Sequence, residues 1–378
     1  MLEQVLSLSR GNNSVNEFIT SVHQGMPSVA FGVPESFKSY ILSCIQPQVL
    51  CVVKDAFTAE NIKNAVQSLS NKNVVFIPPK DQTLFIAKAF SKDANFQRVK
   101  ALSDLKNADV IIVTPESLMQ IYPKTIQSIT LEKEQEFSRE QLIKLLVSLG
   151  YSRSETVDAK STFAVRGDVV DVFPIDLENP IRIDFFGDFI EGIKIFDVET
   201  RKILGVLETI EILQATEFVY TQNQNLEFID TIKTELKNCP KSAKKRLEVI
   251  VEDLTLALSS QDADYGEIFA SLDQEVTHIF NLINKDAVVV FDESKRVYEL
   301  SDVCQREFTE RFKSLYDAGE VFSFMKNNFT SIEFVKEKLN DFRVGAIQSL
   351  STSVPFFNPL KTVNVSASSV SDYHLKID

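Results

Sequence analysis

The sequence is poor in the residues that build metal, disulfide and membrane sites. It has four cysteines without a CxxC pair and three widely separated histidines among 378 residues. Such spacing predicts reduced thiols in a cytoplasmic protein and does not match the ligand sets of zinc sites. No apolar run approaches the roughly 18 residues of a membrane span, and the first 15 residues do not resemble a secretory signal. We therefore expect a cytoplasmic protein with no metal site and no cofactor.

Positive charge is also in short supply. The chain has 40 Lys and Arg against 53 Asp and Glu, for a formal net charge of −13. Proteins held to nucleic acid by phosphate contacts need cationic surface, so this balance argues against a chain that binds nucleic acid by itself. The local basic cluster of Lys241, Lys244, Lys245 and Arg246 has two interpretations, a solvated helix face or a DNA contact.

What the chain does contain indicates a multidomain α/β protein. Its length allows two or three domains, and its 44% apolar and 25% charged residues are ordinary for a soluble protein. Over residues 1–124, helix signals alternate with short apolar runs, which predicts a mostly parallel sheet covered by helices. The predicted helices are 14–24, 35–45 and 58–68, and the predicted strands are 28–31, 49–53, 74–77 and 110–113.

The rest of the chain changes character twice. A helix is predicted at 138–149, with Ser138 as N-cap and Gly150 just beyond its end. A β-rich block then runs to about residue 213, and a helical pattern from residue 226 leads to a strand at 287–291. After residue 341 the chain is rich in Ser, Thr and Val and ends in an ordered pattern, so we expect the intact protein to continue.

The β-rich block contains an unusual strand, IRIDFF at 181–186. Alternation puts Ile181, Ile183 and Phe185 on one face, which we expect to face the core. It puts Arg182, Asp184 and Phe186 on the other face. The following Gly187-Asp188 pair predicts a two-residue II′ hairpin turn. A guanidinium and an aromatic ring on one polar face are typical of a protein–protein hot spot rather than of a catalytic pocket.

A second motif, GVPESFKS at 32–39, lies between the first predicted strand and helix. It matches the phosphate-loop spacing GxxxxGK[ST] through Gly32, Lys38 and Ser39, but Phe37 stands where the second glycine belongs. A benzyl side chain there prevents the close backbone approach that phosphates need, and Glu35 adds negative charge. A functional ATP loop, a degenerate loop and a coincidence are all open, and we favour the degenerate loop.

The strand AVVVFDES at 287–294 has the form of a Walker B segment. In such a segment Asp292 would hold a magnesium-bound water and Glu293 would position the attacking water. Without a working phosphate loop these carboxylates serve no nucleotide, so we favour a structural remnant over a live metal site. The segment 109–120 is interpreted as a strand followed by a loop, and no further motor motifs follow.

These motifs, together with RGDVVDVFP at 166–174 and the block 181–204, resemble the UvrB-homology module of bacterial transcription-repair coupling factors. They resemble the excinuclease subunit UvrB less closely, since UvrB-like proteins keep an intact phosphate loop. The resemblance implies a degenerate P-loop α/β domain of the RecA/helicase type, in two halves, with a small β-rich α+β module like UvrB domain 2 inserted. The implied ranges are 1–124 and 214–345 for the halves, 125–213 for the insert and 346–378 for the start of a following segment.

The resemblance also implies a function. In this family the module recruits UvrA to stalled transcription complexes in transcription-coupled nucleotide excision repair, and the protein's own C-terminal domains mask it. Carried over to this sequence, the UvrA-binding residues are Arg166, Arg182 and Phe186. Their implied mechanism is a buried ring with two arginines that seek acidic partners. Gly167 leaves open which way Arg166 faces. The family's double-stranded DNA translocase and its contacts with RNA polymerase and DNA belong to regions not in this chain, so we expect no enzyme here.

Two other functions are open. A UvrB-type, ATP-dependent damage-verification subunit would need an intact phosphate loop and an aromatic-rich hairpin that inserts into DNA. Residues 151–160 are too few and too polar for that hairpin. If the chain were a purely structural α/β protein, its many matches to the family between residues 166 and 201 would be accidental. We therefore favour a UvrA-recruiting module.

Overall fold

The computed structural model describes residues 13–80, 92–237, 239, 241–260, 266–273 and 275–366. The predicted pattern at the chain end falls partly on residues 367–378, which lie outside this range. The helices are α1 (Asn13–His23), α2 (Glu35–Cys44), α3 (Ala56–Leu69), α4 (Lys92–Asp104), α5 (Pro115–Met119), α6 (Arg139–Ser148), α7 (Gln222–Glu235), α8 (Lys241–Ser260), α9 (Gly266–Phe269), α10 (Ile279–Leu282), α11 (Ser294–Ala318) and α12 (Ile332–Leu339). The strands are β1 (Ser28–Phe31), β2 (Val49–Val52), β3 (Val74–Ile77), β4 (Val110–Val113), β5 (Tyr122–Pro123), β6 (Ser128–Glu132), β7 (Ser152–Arg153), β8 (Thr162–Arg166), β9 (Val169–Phe173), β10 (Ile181–Phe186), β11 (Phe189–Phe196), β12 (Ile203–Leu207), β13 (Thr209–Leu213), β14 (Val276–Thr277), β15 (Val288–Asp292), β16 (Arg343–Ile347) and β17 (Lys361–Asn364).

Seven parallel strands form the central sheet, in the order β17-β1-β16-β15-β2-β4-β3. Four of them come from residues 28–113 and three from residues 288–364, so the two ends of the chain interleave in one sheet. The inner strands are short apolar runs buried on both faces, as helix-covered parallel sheets require. The predicted α/β class is confirmed.

Helices cover both faces of this sheet. On one face α1, α2 and α3 bury Phe18, Ile41 and Ile62 against the strands. On the other face α4, α5 and α10 to α12 do the same, with Leu118 and Val297 near the centre of the core. The sheet is therefore the middle layer of three, the arrangement in which parallel strands lose contact with water on both sides.

The sheet continues past the predicted boundary at residue 345, which falls inside β16. Beyond it, β17 pairs in parallel with β1, with Ser28 opposite Lys361. Of the four residues of β17, Val363 alone is buried. An edge strand of this kind has no continuous apolar run, which explains why the sequence pattern does not reveal it.

The segment after β4 is a helix, α5, so the predicted loop is wrong there. Thr114 is the N-cap, its side chain accepting the Ser117 N–H, and Pro115 occupies the first helical turn. Proline is suited to that position because its missing N–H would have no partner within the helix. The Thr-Pro pair was therefore an available helix-start signal that the loop interpretation overlooked.

A second sheet of six strands, ordered β12-β11-β10-β9-β8-β7, is formed entirely between residues 152 and 207. Its pairs are antiparallel except β7 with β8. One face packs against α6, β6 and β13, and there Ile181, Ile183 and Phe185 are buried. As predicted, Ser138 caps α6, through a capping box with Gln141.

A buried ion pair joins the end of this inserted region to the α/β domain. Glu217, which follows β13, accepts hydrogen bonds from Arg98 of α4 at 2.8 Å (Nε) and 3.0 Å (Nη2). Burial raises the pKa of Glu217, but the charges of Arg98 and Lys80 outweigh it and lower the pKa overall. The pair therefore links the two regions through a buried contact, and loss of either partner would be costly.

A helical region follows. Helices α7 and α8 pack with Phe322 and its neighbours into a separate apolar core. In the predicted basic cluster Lys244 and Lys245 are exposed, Arg246 lies 3.1 Å from Glu320, and the side chain of Lys241 is outside the described part. Among the helices that the structure describes, none has the length and apolar character to cross a membrane.

Candidate functional site

The first candidate site is the turn between β1 and α2. Helix α2 begins at Glu35, three residues before Lys38, so much of the predicted phosphate loop is already helical. The Phe37 N–H donates to the carbonyl of Pro34 at 2.9 Å, and the Phe37 ring stacks on Tyr40 with centroids 5.0 Å apart. A phosphate site needs successive N–H groups that converge on an anion. Here the backbone follows a helix and Phe37 packs against the core.

Gly32 has a conformational role in this turn. Its φ is +72°, in the left-handed region that favours glycine. A Cβ at this position would lie 2.6 Å from the carbonyl oxygen of Val365, just beyond β17. The glycine is therefore required by the passage of one backbone segment against another.

Lys38 is surrounded by three carboxylates. Its Nζ lies 2.6 Å from Glu35, 2.6 Å from Asp292 and 2.8 Å from Glu293, and its side chain is 2% exposed. Burial lowers the pKa of Lys38, but the charge of Asp292 and the hydrogen bonds that Lys38 donates to the three carboxylates raise it more. The ammonium thus already has three anionic partners, and a phosphate would have to displace them.

Asp292 and Glu293 respond differently to this cluster. Burial raises the pKa of Asp292 to about 6 despite the opposing attraction of Lys38. Burial also raises the pKa of Glu293, but hydrogen bonds from Lys38 and from Ser349 lower it below its ordinary value. Asp292 is more enclosed than Glu293 and holds its proton more firmly.

The backbone at Glu293 is itself unusual. Its φ of 54° lies in the left-handed region, which is costly for a residue with a side chain. Its N–H donates to Ile347, and its Oε1 accepts from Lys38 and from the Ser349 N–H, both at 2.8 Å. These bonds hold the residue in place between β15 and α11.

The two halves of the predicted nucleotide site therefore do meet. Lys38, Asp292 and Glu293 form one cluster, while Gly32 serves the adjacent turn and Ser39 is buried in α2. Among the residues that the structure describes, no group of three or more His, Cys, Asp or Glu is arranged to hold a metal ion. The interaction observed within the cluster is charge pairing between Lys38 and its three carboxylates.

The second candidate site is the outer face of the six-stranded sheet. Arg166 on β8 stands opposite Val169 on β9, and Val169 stands opposite Asp184 on β10. Asp184 lies two residues from Arg182 and two residues from Phe186 along β10. Alternation therefore places Arg166, Arg182 and Phe186 on the same face. From a rise of about 3.3 Å per residue and a strand spacing of about 4.8 Å, they form a triangle with sides of about 12–13 Å.

Arg166 ends β8, immediately before a two-residue turn of Gly167 and Asp168. Gly167 has a φ of +58° within this turn and introduces no bulge before Arg166. The Arg166 guanidinium is exposed and donates to the main-chain oxygen of Glu155 at 2.8 Å. It thus projects from the outer face.

Arg182 already has an acidic partner within the domain. Its Nε and Nη2 donate to the two carboxylate oxygens of Asp171 at 2.8 and 2.9 Å, and its guanidinium lies over the Phe196 ring at 5.1 Å. Hydrogen bonds from Arg182 to Asp171 raise the pKa of the guanidinium. Arg182 therefore has an acidic partner within the domain, and its role in binding another protein stays a prediction. The β9–β10 register sets Asp171 opposite Arg182.

Phe186 is 78% exposed at the tip of the β10–β11 hairpin. The predicted two-residue turn is confirmed, with Phe186 opposite Phe189 and Gly187 at a φ of +60°. Phe189 is also largely exposed, although the sequence interpretation did not single it out. The hairpin prediction already implied this pairing, because residues that flank a two-residue turn stand opposite each other.

Comparison with known proteins bears on both sites. Residues 129–218 match the family model of the UvrB interaction domain. The chain is 20% identical over 393 residues to the transcription-repair-coupling factor of Bacillus subtilis (strain 168), a match that covers 99% of this chain and 33% of the relative. Most of the chain is similar to transcription-repair-coupling factors, and residues 129–218 are similar to the UvrB interaction domain. This confirms the resemblance predicted from the sequence.

Two staphylococcal relatives give the same result. The transcription-repair-coupling factor of Staphylococcus haemolyticus (strain JCSC1435) is 22% identical over 327 residues, covering 82% of this chain and 27% of the relative. That of Staphylococcus aureus (strain MRSA252) is 25% identical over 236 residues, covering 60% and 20%. The chain spans about a third or less of the length of these relatives.

Proposed function

We propose that this module recruits UvrA to stalled transcription complexes in transcription-coupled nucleotide excision repair. The observation that carries the proposal is the common face of Arg166, Arg182 and Phe186 on the six-stranded sheet, opposite its core. This face lies within the region that matches the UvrB interaction domain. An exposed ring with guanidinium groups about 12 Å away is the composition of a binding hot spot.

The proposal includes a place for the module in the longer protein. The UvrA-binding region is an insert, residues 125–213, between two halves of an α/β domain. In the intact cytoplasmic protein its outer face docks against the protein's own C-terminal domains until the motor engages. Double-stranded DNA translocation and contacts with RNA polymerase and DNA belong to regions outside this chain.

Binding to purified UvrA tests the proposal. We expect the chain to capture UvrA, and Phe186→Ala to abolish capture without changing the melting temperature, because the ring lies outside the core. Truncation of a hot-spot aromatic costs roughly 2–4 kcal/mol of binding free energy. Equal capture by this variant and by the unmodified chain would place the surface elsewhere.

We further propose that the phosphate loop is degenerate and that this chain neither binds nor hydrolyses ATP. The helical backbone at Phe37 and the three carboxylates on Lys38 support this. Calorimetry with millimolar Mg-ATP should give no saturable heat, and Phe37→Gly should not restore hydrolysis. A clear isotherm would instead favour a UvrB-type damage-verification enzyme.

A further inference from the structure

The β10–β11 hairpin carries two exposed aromatic rings. Phe189 is 51% exposed and stands directly opposite Phe186 across the Gly187-Asp188 turn. Both belong to the strand ends farthest from the small apolar cluster around Phe196 on the same sheet face. Two large apolar side chains on a loop tip are unfavourable in water unless another surface covers them.

The tip is held in place from the side. The segment before α6 forms main-chain hydrogen bonds with it, from Glu134 to Ile190 at 2.7 Å, from Ile190 to Gln135 at 3.0 Å and from Phe137 to Asp188 at 2.7 Å. At the tip, β11 is therefore hydrogen-bonded to this segment on one side and to β10 on the other, which restricts the movement of the hairpin. Little conformational entropy is lost when a partner binds such a tip, which favours these rings as binding anchors.

Most charges on this face are already compensated. Arg182 is paired with Asp171, and Lys194 lies 2.7 Å from Asp184. Within the described part of the chain, Arg166 has a main-chain oxygen as its acceptor and no carboxylate within ion-pair distance. Among the Lys and Arg residues of β8, β10 and β11, Arg166 is therefore the one cation without a carboxylate partner, beside the two exposed rings of the hairpin tip.

We propose that the UvrA-type partner receives Phe186 and Phe189 together in one apolar pocket and sets a single acidic side chain against Arg166. This inference rests on the proposed function and specifies the chemistry of the partner surface. Apolar insertion supplies most of the affinity, because the ion pairs of Arg182 and Lys194 are retained within the module. Arg166 supplies the ionic contribution, which salt screens.

The first test measures the affinity of the chain for full-length UvrA by calorimetry. Phe189→Ala should weaken binding at least tenfold, and Phe189→Leu, which keeps apolar volume, should weaken it less. Phe57→Ala is the matched control, since Phe57 is 77% exposed on α3 of the α/β domain. It should bind like the unmodified chain. Melting curves of all variants verify that each is folded.

The second test compares the affinity at low and high salt. The unmodified chain should show a shallow dependence, and Arg166→Gln should remove most of it. If the unmodified chain fails to bind UvrA, the proposed function falls. If it binds and a folded Phe189→Ala binds equally well, or if Arg166→Gln leaves the salt dependence unchanged, this inference falls while the proposed function stands.

Discussion

The Nζ of Lys38 lies 2.6 Å from the Oδ1 of Asp292, and this contact ties α2 to β15 across the intervening β16. Their side chains are 2% and 5% exposed. In a phosphate-loop enzyme the lysine contacts the nucleotide phosphates and the aspartate serves magnesium. Here the two groups form an ion pair with each other.

Removal of the ammonium should therefore destabilise the fold. Lys38→Met leaves the buried Asp292 facing Glu293 and Glu35 without a cation, and loss of one partner of a buried pair costs about 3–5 kcal/mol. Urea unfolding at neutral pH measures this free energy. Lys295→Met, on the exposed first turn of α11, is the control and should change stability by less than about 0.5 kcal/mol. Equal effects of the two substitutions would refute a structural role for Lys38.

The same cluster should make stability depend on pH. The pKa of Asp292 is raised by burial from 3.8 to about 6, so the native state holds this proton more tightly than the unfolded chain does. Its contribution is complete below about pH 4 and is lost as the pH rises through 6. At 1.36 kcal/mol per pKa unit the loss is about 3 kcal/mol.

Asp292→Asn provides the comparison, because it cannot titrate there. Urea unfolding of both proteins at several pH values between 4 and 7 gives the difference in unfolding free energy. We expect the unmodified chain to lose stability relative to Asp292→Asn across this range. The lowered pKa of Glu293 acts in the opposite direction, toward lower stability as pH falls, but both proteins contain it. A difference that is constant with pH would contradict the prediction.

Arg182→Ala should reduce stability as well as binding. Asp171, 6% exposed, would lose both hydrogen bonds, and an unsatisfied buried acceptor costs about 1–3 kcal/mol. Phe186→Ala should cost less than about 0.5 kcal/mol because its ring is outside the core. Chemical unfolding of both variants separates the two effects. If Arg182→Ala and Phe186→Ala unfold with the same free energy, the Arg182–Asp171 pair does not contribute to stability.

Gly32→Ala should lower the free energy of unfolding by more than the strain of a positive φ accounts for. The new Cβ would lie 2.6 Å from the Val365 oxygen, so β17 would have to move. Gly25→Ala is the matched control, because Gly25 has a φ of +79° and no atom lies within 4 Å of the added Cβ. We expect a cost of about 1–2 kcal/mol at Gly25 and a larger one at Gly32. Thermal melting compares them, and equal costs would show that the Val365 contact is unimportant.

Local patterns were enough to predict many elements of the fold. Strands β1, β3 and β4 coincide with their predicted ranges, because a buried parallel strand is a continuous apolar run that needs no other information. The capping box of α6 and the Gly187 turn are likewise encoded by neighbouring residues. The edge strand β17 lacked such a pattern, since one buried side chain leaves no periodic signal.

The sequence by itself determined the α/β class, the hairpin with its exposed ring and the family resemblance, since each depends on residues close together in the chain. Tertiary structure decided which charges remain available for a partner. Lys38 meets Asp292 across more than 250 residues, and Arg182 meets Asp171 only through strand register. Charge pairing depends on distance in space and on burial, and neither quantity follows from the order of residues along the chain.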